Sequence, residues 1–166
     1  GCRRRDPGVR TDRIGENLQT AAHSRHAQPG FEQRVRDSFA RQAAMTTLGA
    51  SLGVIEAGRV ELLMRHRADL TQQHGFLHAG IVAAALDSAC GYAAFTLMPD
   101  DAAVLTIEFK INLLAPARGP HFRFEGHVVK PGRTINVVDG RALQSDGDGS
   151  NESLVATMTA TVLTVR

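Results

Sequence analysis

Tryptophan is absent from the chain and tyrosine occurs once, so Leu, Ile, Val, Ala and the seven Phe must build any core. Cysteine is almost as scarce. Cys2 lies in a polar stretch and Cys90 in an apolar one, a contrast in context that argues against a bridge and fits a reducing compartment. No long, uncharged apolar run exists. The most apolar segment, Ala79 to Met98, is mostly alanine and contains Asp87, Gly80 and Gly91, so it reads as a buried helix rather than a membrane span. No apolar signal-type region follows the Arg-rich start, and the expected location is the cytoplasm, away from any membrane.

What is present is one domain's length of chain, 166 residues, with an unusual beginning. Residues 1–30 carry six Arg against Asp6, Asp12 and Glu16 and lack apolar periodicity, which predicts a polar, poorly ordered tail. Without interleaved aromatics or Lys clusters it does not read as a nucleic-acid arm. The tail's net charge is +3 and that of the whole chain +2, so the basic balance belongs to the tail and not to the domain at 31–166.

From Phe31 the pattern changes. Phe31, Val35, Phe39 and Ala43 recur every four residues, with Glu32, Arg34, Arg36 and Asp37 between them, predicting one amphipathic helix. Short β-type runs follow at Ala50–Glu56 and Arg59–Arg65, then a loop from Ala68 to Leu77. The long helix Ala79–Met98 is stopped by Pro99. Leu105, Ile107, Phe109, Ile111 and Leu113 then alternate with Thr106, Glu108, Lys110 and Asn112, a period of two over a full strand on Ala103–Leu114. Further strands are expected at His121–Lys130, Thr134–Leu143 and Leu154–Val165, with a Pro131-Gly132 turn and an Asp- and Gly-rich loop over Ser145–Asn151. The order predicts an α+β fold, an antiparallel sheet with helices gathered on one face.

Asp87 is the one charge within Ala79–Met98. A carboxylate on so apolar a helix is costly unless it is paired or kept for chemistry. A structural Asp bonded to Ser88 or to a loop amide is one reading; a catalytic Asp is the other. The polar run Gln72-Gln73-His74-Gly75-Phe76-Leu77-His78-Ala79-Gly80 leads straight into the helix. A helix start offers unpaired N–H groups and a positive dipole end, suited to an oxyanion. An amide side chain, a dipole end and a carboxylate together suggest acyl transfer.

Gln72, His78-Ala79-Gly80 and Asp87, with the strand LTIEFKINLLAPA, resemble the hotdog-fold thioesterases of the phenylacetate-pathway type, and within them the bacterial medium- and long-chain acyl-CoA enzymes. The resemblance spans roughly residues 31–165. It implies a sheet wrapped around the long helix and hydrolysis of an acyl-CoA with no cofactor, CoA being part of the substrate. It also implies a homodimer or homotetramer with its site at a subunit interface. Asp87 would be general base or nucleophile, the Ala79 N–H with Gly80 alongside would polarise the carbonyl, and Gln72 would orient water or substrate. The family usually has Gly where Ala79 stands, a change that spares the backbone donor. His78 would fix the loop through a backbone hydrogen bond, Thr106 would be contributed across the interface, and Gly91 would leave room for the acyl group. Arg133 and then Lys130, on the turn at 130–134, would meet the CoA phosphates.

His74 and His78 have zinc-like spacing, but Gly75 intervenes and no third ligand is evident, so no metal is expected. Two rival functions share the fold. A hydratase or dehydratase would pair a His with an acid, yet the Pro-rich loop expected after such a His is missing. A non-catalytic acyl-CoA-binding module would have little reason to keep both Asp87 and Gln72.

Overall fold

A computed structural model describes residues 27–147 and 151–166. The tail expected over residues 1–30 thus lies almost wholly outside the described residues. Two short helices open the domain, α1 (Phe31–Ala40) and α2 (Ala43–Leu48), followed by strands β1 (Ser51–Glu56) and β2 (Arg59–Arg65). A short 3₁₀ turn at Ala68–Leu70 leads through a loop to the long helix α3 (Ala79–Phe95). Strands β3 (Ala103–Leu113), β4 (His121–Lys130), β5 (Ile135–Ser145) and β6 (Ser153–Val165) complete the chain. The six strands form one sheet in the order β1-β2-β4-β5-β6-β3, with every neighbouring pair antiparallel.

The sheet wraps around α3, which is buried from Ser88 to Phe95 without a break. This is the hotdog fold, α+β as the element order predicts. Two glycines paired across β4 and β5, Gly126 and Gly140, set how deeply the helix sits. A Cβ on Gly126 would lie 2.4 Å from the Ala89 carbonyl oxygen, and one on Gly140 would lie 2.8 Å from Cys90 Sγ. With alanines on its own side, α3 therefore rests almost directly on the strand backbones. The far end of the helix is tied down by Thr96, whose hydroxyl donates to the Ala93 carbonyl (2.7 Å) and accepts from the Gly58 N–H (2.7 Å). On the face away from α3, Arg59 and Arg123 bracket the buried Glu61 at 2.5 and 2.8 Å, so that this carboxylate is paired twice.

Three expectations need correction. The predicted helix through Ala43 is two helices. The chain leaves helical geometry at Gln42 (φ −83°, ψ 88°), and Ala43 is exposed rather than on the apolar stripe. The break resets the helical phase so that Met45 and Leu48 of α2 enter the core. The long helix stops at Phe95, three residues early, because Leu97 and Met98 donate instead to the carbonyls of Ala94 and Phe95.

The third correction concerns β3. Its alternation is real in sequence but is interrupted in space: Thr106 pairs with Val162 and Glu108 with Thr161, so Ile107 is an extra, bulged residue. A slip of one residue exchanges the two faces of a strand. Before the bulge Val104 and Thr106 face the helix; after it Phe109 and Ile111 do, opposite Ala160 and Met158. Leu105 therefore does not share a face with Phe109. β3 is also an edge strand, and Leu105, Ile107, Phe109 and Leu113 are all about half exposed in the single chain.

Candidate active site

The bulge has a chemical consequence: it turns Thr106 toward α3, where it meets Asp87. These two residues line a pocket of about 250 Å³ together with Gln42, Ser88, Gly91, Tyr92, Val104 and Leu105. Asp87 is half-buried, and its Oδ1 is shielded from solvent with no hydrogen-bond partner among the described residues. Burial pushes the Asp87 carboxyl above the ordinary carboxylate range, and the Thr106 hydroxyl beside it opposes that shift in part. A carboxylate with an idle oxygen and a raised proton affinity, facing a cavity, is equipped to take a proton. Ser88 is not its partner: the Ser88 hydroxyl instead accepts from Gln42 Nε2 at 3.1 Å.

The loop before the helix is built as a separate unit. The Gln72 N–H donates to the Phe76 carbonyl (2.8 Å), the Gly75 N–H returns to the Gln72 carbonyl (3.0 Å), and Gly75 takes a positive φ of 81°. Gln72 Oε1 accepts from the His74 N–H, so this side chain braces its own loop. His78 caps α3, its Nδ1 accepting the Gly80 N–H at 2.9 Å. Gly80's amide is thus already engaged. The Ala79 N–H has no partner among the described residues and is exposed at the positive end of the helix, the better placed of the two to receive an oxyanion.

Within one chain the two halves do not meet. Asp87 is eight residues beyond Ala79, roughly 12 Å along the helix axis, and neither the loop nor the helix start lines the Asp87 pocket. The expectation that both act on one carbonyl therefore fails inside a single chain. Thr106, expected as a contribution across an interface, stands beside Asp87 of its own chain. Lys130 and Arg133 are exposed on the β4–β5 turn, at the opposite end of the sheet from Ala79. That placement follows from Val128 bonding to Gly58, which in turn bonds to Thr96 at the C-terminal end of α3. Gly91 lines the Asp87 pocket.

Gln42 is a pocket residue that the sequence did not reveal. It lies between two amphipathic runs with no motif around it, and only the break in the helix turns it inward. Among the described residues no group of three or more His, Cys, Asp or Glu is arranged to hold a metal ion, and His78 is occupied as a helix cap. Among the same residues no helix is long and apolar enough to cross a membrane.

Comparison with known proteins agrees with this architecture. Residues 74–150 match the model of the thioesterase superfamily. A thioesterase family protein from Silicibacter pomeroyi is 58% identical in sequence and superposes with a TM-score of 0.79 over 82% of this chain and 98% of that one. A protein named as a putative esterase from Sulfurisphaera tokodaii is 31% identical over 111 residues, 67% of this chain and 79% of its own length. Another so named, from Saccharolobus solfataricus, is 36% identical over 93 residues, 56% of this chain and 66% of its own length. The PaaI protein of the E. coli phenylacetic acid degradation operon shares the fold at a TM-score of 0.73 and 18% identity, over 82% of this chain and 94% of that one. The chain belongs to the thioesterase superfamily. Its relatives support hydrolysis of a thioester or ester.

Proposed function

We propose that this protein is an acyl-CoA thioesterase whose active site is completed by a second copy of the chain, with Asp87 as general base. The observation that carries this reading is Asp87 itself, a half-buried carboxylate with an unpartnered oxygen, facing a pocket on a helix of a thioesterase-family fold. Water attacks the thioester carbonyl while Asp87 accepts its proton. The tetrahedral oxyanion is met by an Ala79 N–H, and collapse expels the CoA thiolate, which recovers the proton from Asp87. No cofactor enters this scheme.

Distance supports the second copy. Because one chain holds its own Ala79 roughly 12 Å from its own Asp87, the oxyanion donor and the Gln72 loop are supplied to each Asp87 by the partner. The exposed edge of β3, with Phe109 at 44% and Leu113 at 53% exposure, is the surface that supports such pairing. Beyond Asp87, toward the other end of the sheet, the exposed Arg133 and Lys130 are the proposed contacts for the CoA phosphates.

Two expected outcomes test these assignments. Phe109→Glu should weaken self-association about 100-fold, and thiol release should fall in step with the loss of dimer. Sedimentation and activity on the same dilution series would check this, and a fully active monomer would refute the shared site. Gln72→Ala should reduce turnover by about 10- to 1,000-fold. Steady-state rates on an acyl-CoA would measure the change, and an unchanged rate would reduce Gln72 to a brace of its loop. The test of the function itself is release of free CoA thiol from acyl-CoAs of several chain classes, aryl, medium and long.

A further inference from the structure

Among the described residues only three buried side-chain polar atoms lack a hydrogen-bond partner: Arg34 Nε, Gln42 Oε1 and Asp87 Oδ1. The last two line one pocket. An unpaired buried polar atom costs about 1–3 kcal/mol, and folded chains seldom leave two on residues of one pocket unless something arrives to fill them. Both orphans here are acceptors. Whatever joins them must bring two donated hydrogens, which a thioester carbonyl cannot do and a water molecule can. From these observations we infer that Gln42 is a positioning residue that holds the attacking water against Asp87, an assignment that rests on the thioesterase reading given above.

A water donating one hydrogen to Asp87 Oδ1 and the other to Gln42 Oε1 has its lone pairs turned outward, toward the pocket mouth where a thioester carbonyl would lie. As the water oxygen bonds to the carbonyl carbon, the proton on the Asp87 side passes to that carboxylate. The hydrogen held by Gln42 stays on the product acid, and breaking the C–S bond returns Asp87's proton to the departing thiolate. Gln42 takes no proton at any point.

The surrounding structure holds Gln42 in this place from both ends. Its Nε2 donates to Ser88 Oγ at 3.1 Å, and Ser88 sits next to Asp87 on α3 with only 7% exposure. The start of α1 is clamped by Arg34, whose guanidinium donates to Asp100 Oδ1 (2.5 Å) and to the carbonyls of Phe95 and Met98 (2.9 Å each) and lies 4.6 Å over the Phe95 ring. A helix fixed to the C-terminal end of α3 at one terminus thus delivers Gln42 to Asp87 at the other.

The test compares full-length wild type with Gln42→Met, which keeps the volume and removes the acceptor, and with Gln42→Glu, which keeps the acceptor and adds charge. The substrate is an acyl-CoA that the wild type hydrolyses. Gln42→Met is expected to lower kcat about 10- to 100-fold with KM changed less than about threefold. It should cost nothing further in an Asp87→Asn background, because the water it orients then has no base. Gln42→Glu should move the acid limb of the kcat/KM profile upward by about one pH unit or more, since a second carboxylate disfavours ionisation of the first. Wild-type kcat in Gln42→Met, or an unmoved acid limb in Gln42→Glu, overturns the assignment while leaving the thioesterase reading intact. So does a Gln42→Met loss that adds fully to that of Asp87→Asn. A wild type that hydrolyses no acyl-CoA removes both.

Discussion

Asp87→Asn is expected to lower thiol release by about 10²- to 10⁴-fold while leaving the fold intact. Asn has nearly the volume of Asp and cannot take a proton from water at neutral pH. Two accompanying results separate loss of a base from loss of structure. In the wild type the acid limb of kcat/KM should lie above the ordinary carboxylate range, because burial raises the proton affinity of Asp87. In the variant that limb should disappear from the residual activity. The second result is a stability change of defined sign. The folded state binds the Asp87 proton more tightly than the unfolded chain does, so ionising it costs stability as pH rises from the unfolded toward the folded pKa, and that cost persists above. Asp87→Asn should therefore melt at or above the wild-type temperature at pH 7–8, with the gap closing in acid. A less active protein that is also more stable is the signature of a carboxylate retained for chemistry.

The largest expected effect on stability comes from a single methyl group. At Gly126 an added Cβ would stand 2.4 Å from the Ala89 oxygen, 2.5 Å from its carbonyl carbon and 2.7 Å from the Cys90 nitrogen. All three are backbone atoms of α3, so no side chain can rotate away, and relief requires lifting the helix off β4. Gly126→Ala should cost about 3 kcal/mol or more, measured by chemical denaturation. Because Asp87 lies on the same helix two residues before Ala89, activity should fall with it even under conditions where the variant stays folded. Gly91→Ala is the built-in contrast. Its nearest neighbour would be Val104 Cγ2 at 3.9 Å, an ordinary contact, so the helix should be neutral or gain up to about 1 kcal/mol. Equal destabilisation by the two substitutions would show that the helix does not rest on the Gly126–Gly140 pair as described.

Much of this was legible in the order of residues because most periodic and apolar runs mark an element that packs into the core. The apolar helix from Ala79, the strands on either side of it and Asp87 as an isolated charge needed no structure to be found. What escaped was whatever depends on a single residue changing register. Thr106 and Leu105 exchange faces because Ile107 bulges, and no alternation in the sequence announces where a strand will take an extra residue. The four-residue repeat from Phe31 to Ala43 runs through the break at Gln42 as though the helix continued, which hid both the second helix and a pocket residue. Spacing along α3 misled in a different way. Gln72, Ala79 and Asp87 belong to one motif, and the two turns of helix between Ala79 and Asp87 are legible, but not that the loop and the helix start stay out of the Asp87 pocket. The proposed sharing of each site between two chains rests on that separation. The turn that carries Lys130 and Arg133 is legible in Pro131-Gly132, and only the strand pairings reveal which end of the sheet it occupies.

The measurement that bears most directly on the account is release of CoA thiol from a panel of aryl, medium-chain and long-chain acyl-CoAs by the purified protein, with binding of the same compounds followed in parallel. The account predicts catalytic turnover of at least one class, saturable and dependent on Asp87. Tight binding of acyl-CoA with no thiol released from any of them would contradict it and leave a module that holds the thioester without cleaving it.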